Sequence, residues 1–167
     1  MNPSVDLVVE AGNWPDEETL AAWFDVTIKA TVSATDFNLR FGEISVVLTD
    51  DAAMQAINQA HRGQNKPTNV LSFPALEPDS LAKLDGKRPF LLGDLVFAAQ
   101  TVNTEAEAGQ ISFHHHMSHL IVHGFLHLLG YDHEQDLQAE AMEALETRIL
   151  ASLGIADPYR GDAQTNV

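Results

Sequence analysis

Seven of the eight histidines of this 167-residue chain fall between residues 114 and 133, and three of them, His123, His127 and His133, have the spacing of a metal-ligand set. Residues four apart on a helix share one face one turn apart, so His123 and His127 can direct two imidazoles at one ion. Gly130 can take the left-handed conformation that ends a helix, and the chain folding back after it can bring in His133 as a third nitrogen. Three neutral nitrogens suit zinc, one ion per chain, although imidazole also accepts nickel, copper and iron. Three protein ligands leave the fourth tetrahedral position to water, whose pKa the ion lowers to roughly 7, and this openness is the mark of catalytic zinc. The competing reading, three unrelated core histidines, makes one apolar helix satisfy three buried imidazoles separately.

The same H-x-x-x-H-x-x-G-x-x-H frame occurs in metzincin peptidases, where a Glu directly after the first His is the general base. Here that position is Gly124, which cannot take a proton. His115, His119 and His123 extend the four-residue spacing backwards, so His119 can line the same face one turn earlier and either support the ligands from behind or carry protons, while His114, His115 and His116 read as partly solvent-facing and receive no role. A second candidate lies upstream in Arg62-Gly63-Gln64-Asn65-Lys66-Pro67-Thr68-Asn69-Val70-Leu71-Ser72-Phe73-Pro74. If this loop faces the metal, Arg62 offers the bidentate donor that phosphoryl oxygens need as charge builds. Lys66 can then hold a flanking phosphate and Ser72 can assist proton movement. Zinc with arginine means phosphodiester cleavage; an Arg62 that is only a surface cation means nothing of the kind.

The elements that must position these residues alternate between strand and helix. Strands are expected at Val5 to Val9, Glu43 to Leu48, Val70 to Phe73 (stopped by Pro74) and Leu91 to Phe97. Helices are expected after Pro15, with Leu20, Trp23, Phe24 and Ile28 as the apolar face; from Ala52 to His61 behind a Thr49-Asp50-Asp51 cap; up to about Gly109; from Ser112 to Gly130; and from Asp136 to Leu153. Leu76 to Pro89 reads as loop. This pattern predicts a single α/β (α+β) domain over residues 1–157, a mixed sheet of about four strands packed with helices around a central His-rich helix, and a flexible tail over 158–167.

A chain of this length folds around one core without a disulfide or structural metal, so a metal here would serve function. No cysteine is present, which excludes thiolate metal sites and thiol catalysis and fits a reducing cytoplasm. The net charge of −15 argues against general attraction to nucleic acid. Yet Lys and Arg are unevenly placed. Residues 1–28 have none and 89–167 have only Arg148 and Arg160, so a polyanion could dock only locally, on the middle third. The N-terminus lacks the cationic, apolar design of a signal peptide, and Leu120 to Gly130 is too short and too rich in His to cross a bilayer.

Taken together, Arg62-Gly63, Lys66 through Pro74, Leu92-Gly93-Asp94-Leu95-Val96, His119 through His133 and Glu140 through Glu146 resemble the YbeY-type family of bacterial rRNA-maturation endoribonucleases, in the family's order from residue 57 to residue 150. The resemblance implies a zinc-dependent, single-strand-specific endoribonuclease with His123, His127 and His133 as ligands and Arg62 as the essential arginine. It further implies a role at the 3′ end of small-subunit (16S) rRNA and in ribosome quality control, with the small subunit, its proteins and an assembly GTPase as partners. On the residues alone, two rivals stay open: a metallohydrolase of peptides or esters, and a non-catalytic assembly factor with a structural metal.

Overall fold

A computed structural model describes residues 2–159. In it, the chain forms β1 (Ser4–Val9), α1 (Glu17–Ser33), β2 (Gly42–Thr49), α2 (Asp51–Arg62), β3 (Val70–Pro74), α3 (Pro78–Ala82), β4 (Phe90–Ala98), α4 (Ala99–Gly109), α5 (Phe113–Leu128) and α6 (Asp136–Ser152). The four strands make one mixed sheet in the order β1-β2-β4-β3. β1, β2 and β4 are parallel, whereas β3 runs antiparallel to β4 as an edge strand.

Alternation along the strands assigns the two faces. Ile44, Val46 and Leu48 of β2 and Leu95 and Phe97 of β4 enter the larger core together with residues of α1, α4, α5 and α6. Leu71 and Val96 point to the opposite face, where Met54 of α2 covers them. The His-rich α5 is buried in the middle as expected, with Met117, Ile121, Phe125 and Leu128 in the core.

Side-chain caps fix several helix starts. Asp16 accepts from Thr19 N–H at 2.8 Å, which places Pro15 just outside α1, and Asp50 accepts from Ala53 N–H at 2.9 Å. One expectation is corrected: the stretch read as loop from Leu76 to Pro89 contains α3, a single turn begun by Pro78 and held by the buried Leu81. Of the expected tail, Pro158 and Tyr159 are described, and residues 160–167 lie outside the described residues.

Candidate metal centre

The end of α5 is built by its own sequence. Gly130, at φ +93°, donates its N–H to His127 C=O, and Tyr131 N–H reaches back to Leu126 C=O, both at 3.0 Å. This is the Schellman termination expected of the glycine, with Leu129 as the cap and Gly130 one residue beyond. The reversed chain then presents Tyr131 C=O to His127 Nδ1–H at 2.9 Å. A carbonyl can only accept, so this bond assigns the proton to Nδ1 and leaves the lone pair on Nε2.

His123 is oriented in the same way by a different partner. Its Nδ1 lies 2.5 Å from Glu146 Oε1, on α6. Glu146 is 0% exposed. Burial alone would raise its carboxyl, but hydrogen bonds from His119 and His123, the charge of His123 and the Tyr159 hydroxyl hold it down to about 2. An ionised carboxylate requires a proton on His123 Nδ1, so the Nε2 lone pair of His123 also points outward.

The two Nε2 atoms stand 3.1 Å apart. Two nitrogens bonded to one tetrahedral zinc at roughly 2.0–2.1 Å lie about 3.3 Å apart. Facing lone pairs at this distance repel unless a positive charge lies between them, and the donor set therefore fits a divalent cation. His133 completes the group: one ligand atom from each of the three histidines falls within 4.8 Å of the others. His127 also stays neutral easily, since burial and the neighbouring His123 and His133 push its imidazole down to about 4. His119, His123 and Glu146 form a second close group. There Glu146 is already engaged by three donors, which makes it a support for His123 rather than a competing ligand.

The histidines line a cleft of about 680 Å³, and Arg62, the last residue of α2, lines it too. Its loop is folded back by Asn58, whose Nδ2 donates to Lys66 C=O at 2.8 Å and whose C=O accepts from Gln64 N–H at 3.4 Å. The cleft follows β3, with α2 ending on one side of this edge strand and α5 on the other. Ser72 lines it, but its Oγ donates to Gly124 C=O at 3.3 Å and ties β3 to α5. Of the other candidates, one stands apart from the cleft and one stands behind its ligands. Lys66 is exposed and outside the cleft lining; His119 Nε2 faces Glu146 Oε2 at 3.1 Å and Tyr159 Oη at 3.3 Å. The position of the peptidase base is tightly packed: a Cβ on Gly124 would stand 3.0 Å from Leu95 Cδ2, on the side of α5 that faces the sheet.

The model of the endoribonuclease YbeY family matches residues 9–154. The chain belongs to this family. The endoribonuclease YbeY of Rhodopseudomonas palustris strain HaA2 is 50% identical over 159 residues, covering 94% of this chain and 82% of that protein. Its counterpart in strain BisB18 is 48% identical over 164 residues, covering 98% and 96%. The fold also matches the solution structure of TM1509 from Thermotoga maritima, with a TM-score of 0.53 at 21% identity over 92% of this chain and 98% of the other. Among the described residues, no helix is long and apolar enough to cross a membrane.

Two participants escaped the sequence reading. Glu146 occupies the apolar face of α6 among Met142, Leu145, Ile149 and Leu150, so a carboxylate at a core position was the available signal. Tyr159, placed in the expected tail, donates its hydroxyl to Glu146 Oε2, and burial with that contact raises its phenol above the ordinary value.

Proposed function

We propose that this chain is a zinc-dependent endoribonuclease that cuts single-stranded RNA, with His123, His127 and His133 as the metal ligands and Arg62 as the catalytic arginine. The family points to RNA as substrate. The observation that carries the reading is the pair of imidazole Nε2 lone pairs facing each other in a cleft that Arg62 also lines. When bound, the ion supplies a Lewis acid beside the scissile phosphate.

The remaining work belongs to side chains. Arg62 offers paired N–H donors to the non-bridging oxygens and stabilises the charge that builds on them. Glu146 and Tyr131 C=O hold His123 and His127 in the tautomer that faces the cleft. Lys66, exposed beyond Arg62, takes a flanking phosphate; Ser72 and His119 act by fixing β3 and Glu146. The biological setting we propose is the bacterial cytoplasm, at the 3′ end of small-subunit (16S) rRNA and in ribosome quality control, with small-subunit proteins and an assembly GTPase as partners. A chain with net charge −15 finds its substrate there by docking to a preformed particle rather than by general attraction to RNA.

The test joins elemental analysis to a cleavage assay on single-stranded RNA for wild type, His127→Ala and Arg62→Ala. One zinc per chain with RNA cleavage in wild type, no metal in His127→Ala, and retained metal with strongly reduced cleavage in Arg62→Ala are expected. Digestion of an unfolded protein with RNA left intact would overturn the proposal.

A further inference from the structure

The edge of β3 offers the cleft a main-chain hydrogen-bonding group that the mechanism leaves unused. Ala98 N–H donates to Asn69 C=O at 3.1 Å and Ala75 N–H to Leu92 C=O at 3.0 Å, bracketing the ladder with β4. With the register Leu71↔Val96 and Phe73↔Asp94, these bonds assign the N–H and C=O groups of residues 69, 71, 73 and 75 to β4. Those of Val70, Ser72 and Pro74 therefore turn to the free edge, and all three residues line the cleft that holds His123, His127 and Arg62.

The three positions are unequal. Val70 N–H is taken by Asn69 Oδ1 at 2.7 Å. Asn69 is locked in that pose, since its Nδ2 donates to Glu105 at 3.0 and 3.3 Å and Glu105 in turn pairs with His116 Nε2 at 2.9 Å. Pro74 has no N–H. One N–H, that of Ser72, remains on the edge beside its own C=O. An added peptide strand needs such pairs at every second residue, so this edge is too short of donors to bind one. A planar group with one acceptor next to one donor needs only a single pair.

Resting on the endoribonuclease reading, we infer that the Ser72 N–H and C=O bind the Watson–Crick edge of one nucleobase beside the scissile phosphate. Each RNA base carries an adjacent acceptor and donor on that edge: N1 and N6–H₂ in adenine, N3 and N4–H₂ in cytosine, O6 and N1–H in guanine, O4 and N3–H in uracil. The contact is therefore tolerant of sequence. It is intolerant of duplex, because a paired base has its edge occupied. Single-strand preference thus arises from the main-chain N–H and C=O of one residue, which no change of side chain type records.

The substrate and the protein can both be altered to test this. Binding of a labelled single-stranded RNA is measured by anisotropy in chelator, with one abasic nucleotide moved along the strand; cleavage of the same RNAs is measured with zinc. One position is expected to lose about tenfold in affinity, the worth of one or two net hydrogen bonds. A base whose Watson–Crick edge is blocked by a methyl group is expected to lose as much there, although its ring is intact. Ser72→Pro, which removes the N–H at an extended free-edge position, should erase the penalty, and Ser72→Ala should retain it. If Ser72→Pro does not fold, the methylated base decides: binding equal to the unmodified base overturns the inference. RNA that is bound and cut with a flat scan also overturns it but leaves the endoribonuclease reading intact, whereas RNA neither bound nor cut overturns both.

Discussion

The two halves of α5 carry the same residue type to opposite ends. In the first turns, His114 stacks on Trp23 with ring centroids 4.5 Å apart and planes 20° apart, His115 is exposed, and His116 pairs with Glu105. Trp23 and Glu105 take up two of these imidazoles separately, and none directs a lone pair at another's. In the last turns, His123 and His127 have their Nδ1 atoms committed to Glu146 and to Tyr131 C=O, so both Nε2 atoms face one point. Histidine density does not make a metal site; what does is a set of partners that fixes every tautomer toward a shared centre.

The sharpest break of this contrast is His127→Ala against His114→Ala. The first is expected to lose the metal and roughly a thousandfold in cleavage, since the ion's charge stabilisation is worth several kcal/mol. The second should keep one ion per chain and wild-type cleavage; metal retained in His127→Ala by elemental analysis would remove the distinction. Next, Arg62→Ala should lower kcat by about 10²–10³ with metal content unchanged, the range for losing one preorganised donor at a developing charge. Smaller again, Glu146→Gln is expected to weaken metal affinity by about 10–100-fold in a chelator competition, because the amide no longer forces the proton onto His123 Nδ1. His116→Ala, which breaks an equivalent carboxylate pair in the other half, should leave that affinity unchanged.

Much of this was legible in the residue pattern for physical reasons. The four-residue spacing of His123 and His127 fixes their common face whatever surrounds the helix, and Gly130 fixes the reversal. The strands of the sheet follow from β-branched runs and the end of β3 from Pro74, whereas its edge position emerges only in the sheet order. Glu146 was harder to see. Its role depends on how α6 lies across α5, a long-range packing relation that helical periodicity in α6 does not encode. Tyr159 is a single aromatic beyond the last periodic segment, and only the folded chain brings it to Glu146. For Lys66 and His119, charge and spacing give only the neighbourhood: Lys66 is exposed on its loop, and His119 reaches His123 through the Glu146 carboxylate they share.

The smallest expected effect reads the first half of α5 through pH. Burial, and then the charge of His115, lowers the pKa of His114 from its ordinary 6.5. The folded state therefore binds this proton more weakly than the unfolded chain, and the stability contributed by neutral His114 is fully present above about pH 6.5. It is lost as pH falls through the unfolded value and on through the folded one. His114→Phe retains an aromatic ring against Trp23 and cannot titrate. Urea midpoints of wild type and His114→Phe, taken from pH 8 down to pH 5, should separate slowly, with wild type losing more. Groups distant from His114 cancel in the difference. The opposite sign, wild type gaining on the variant in acid, would mean that a protonated His114 is held over the Trp23 ring as a cation–π pair. The stack would then favour charge, and Trp23 would hold His114 as a cation rather than as a neutral ring.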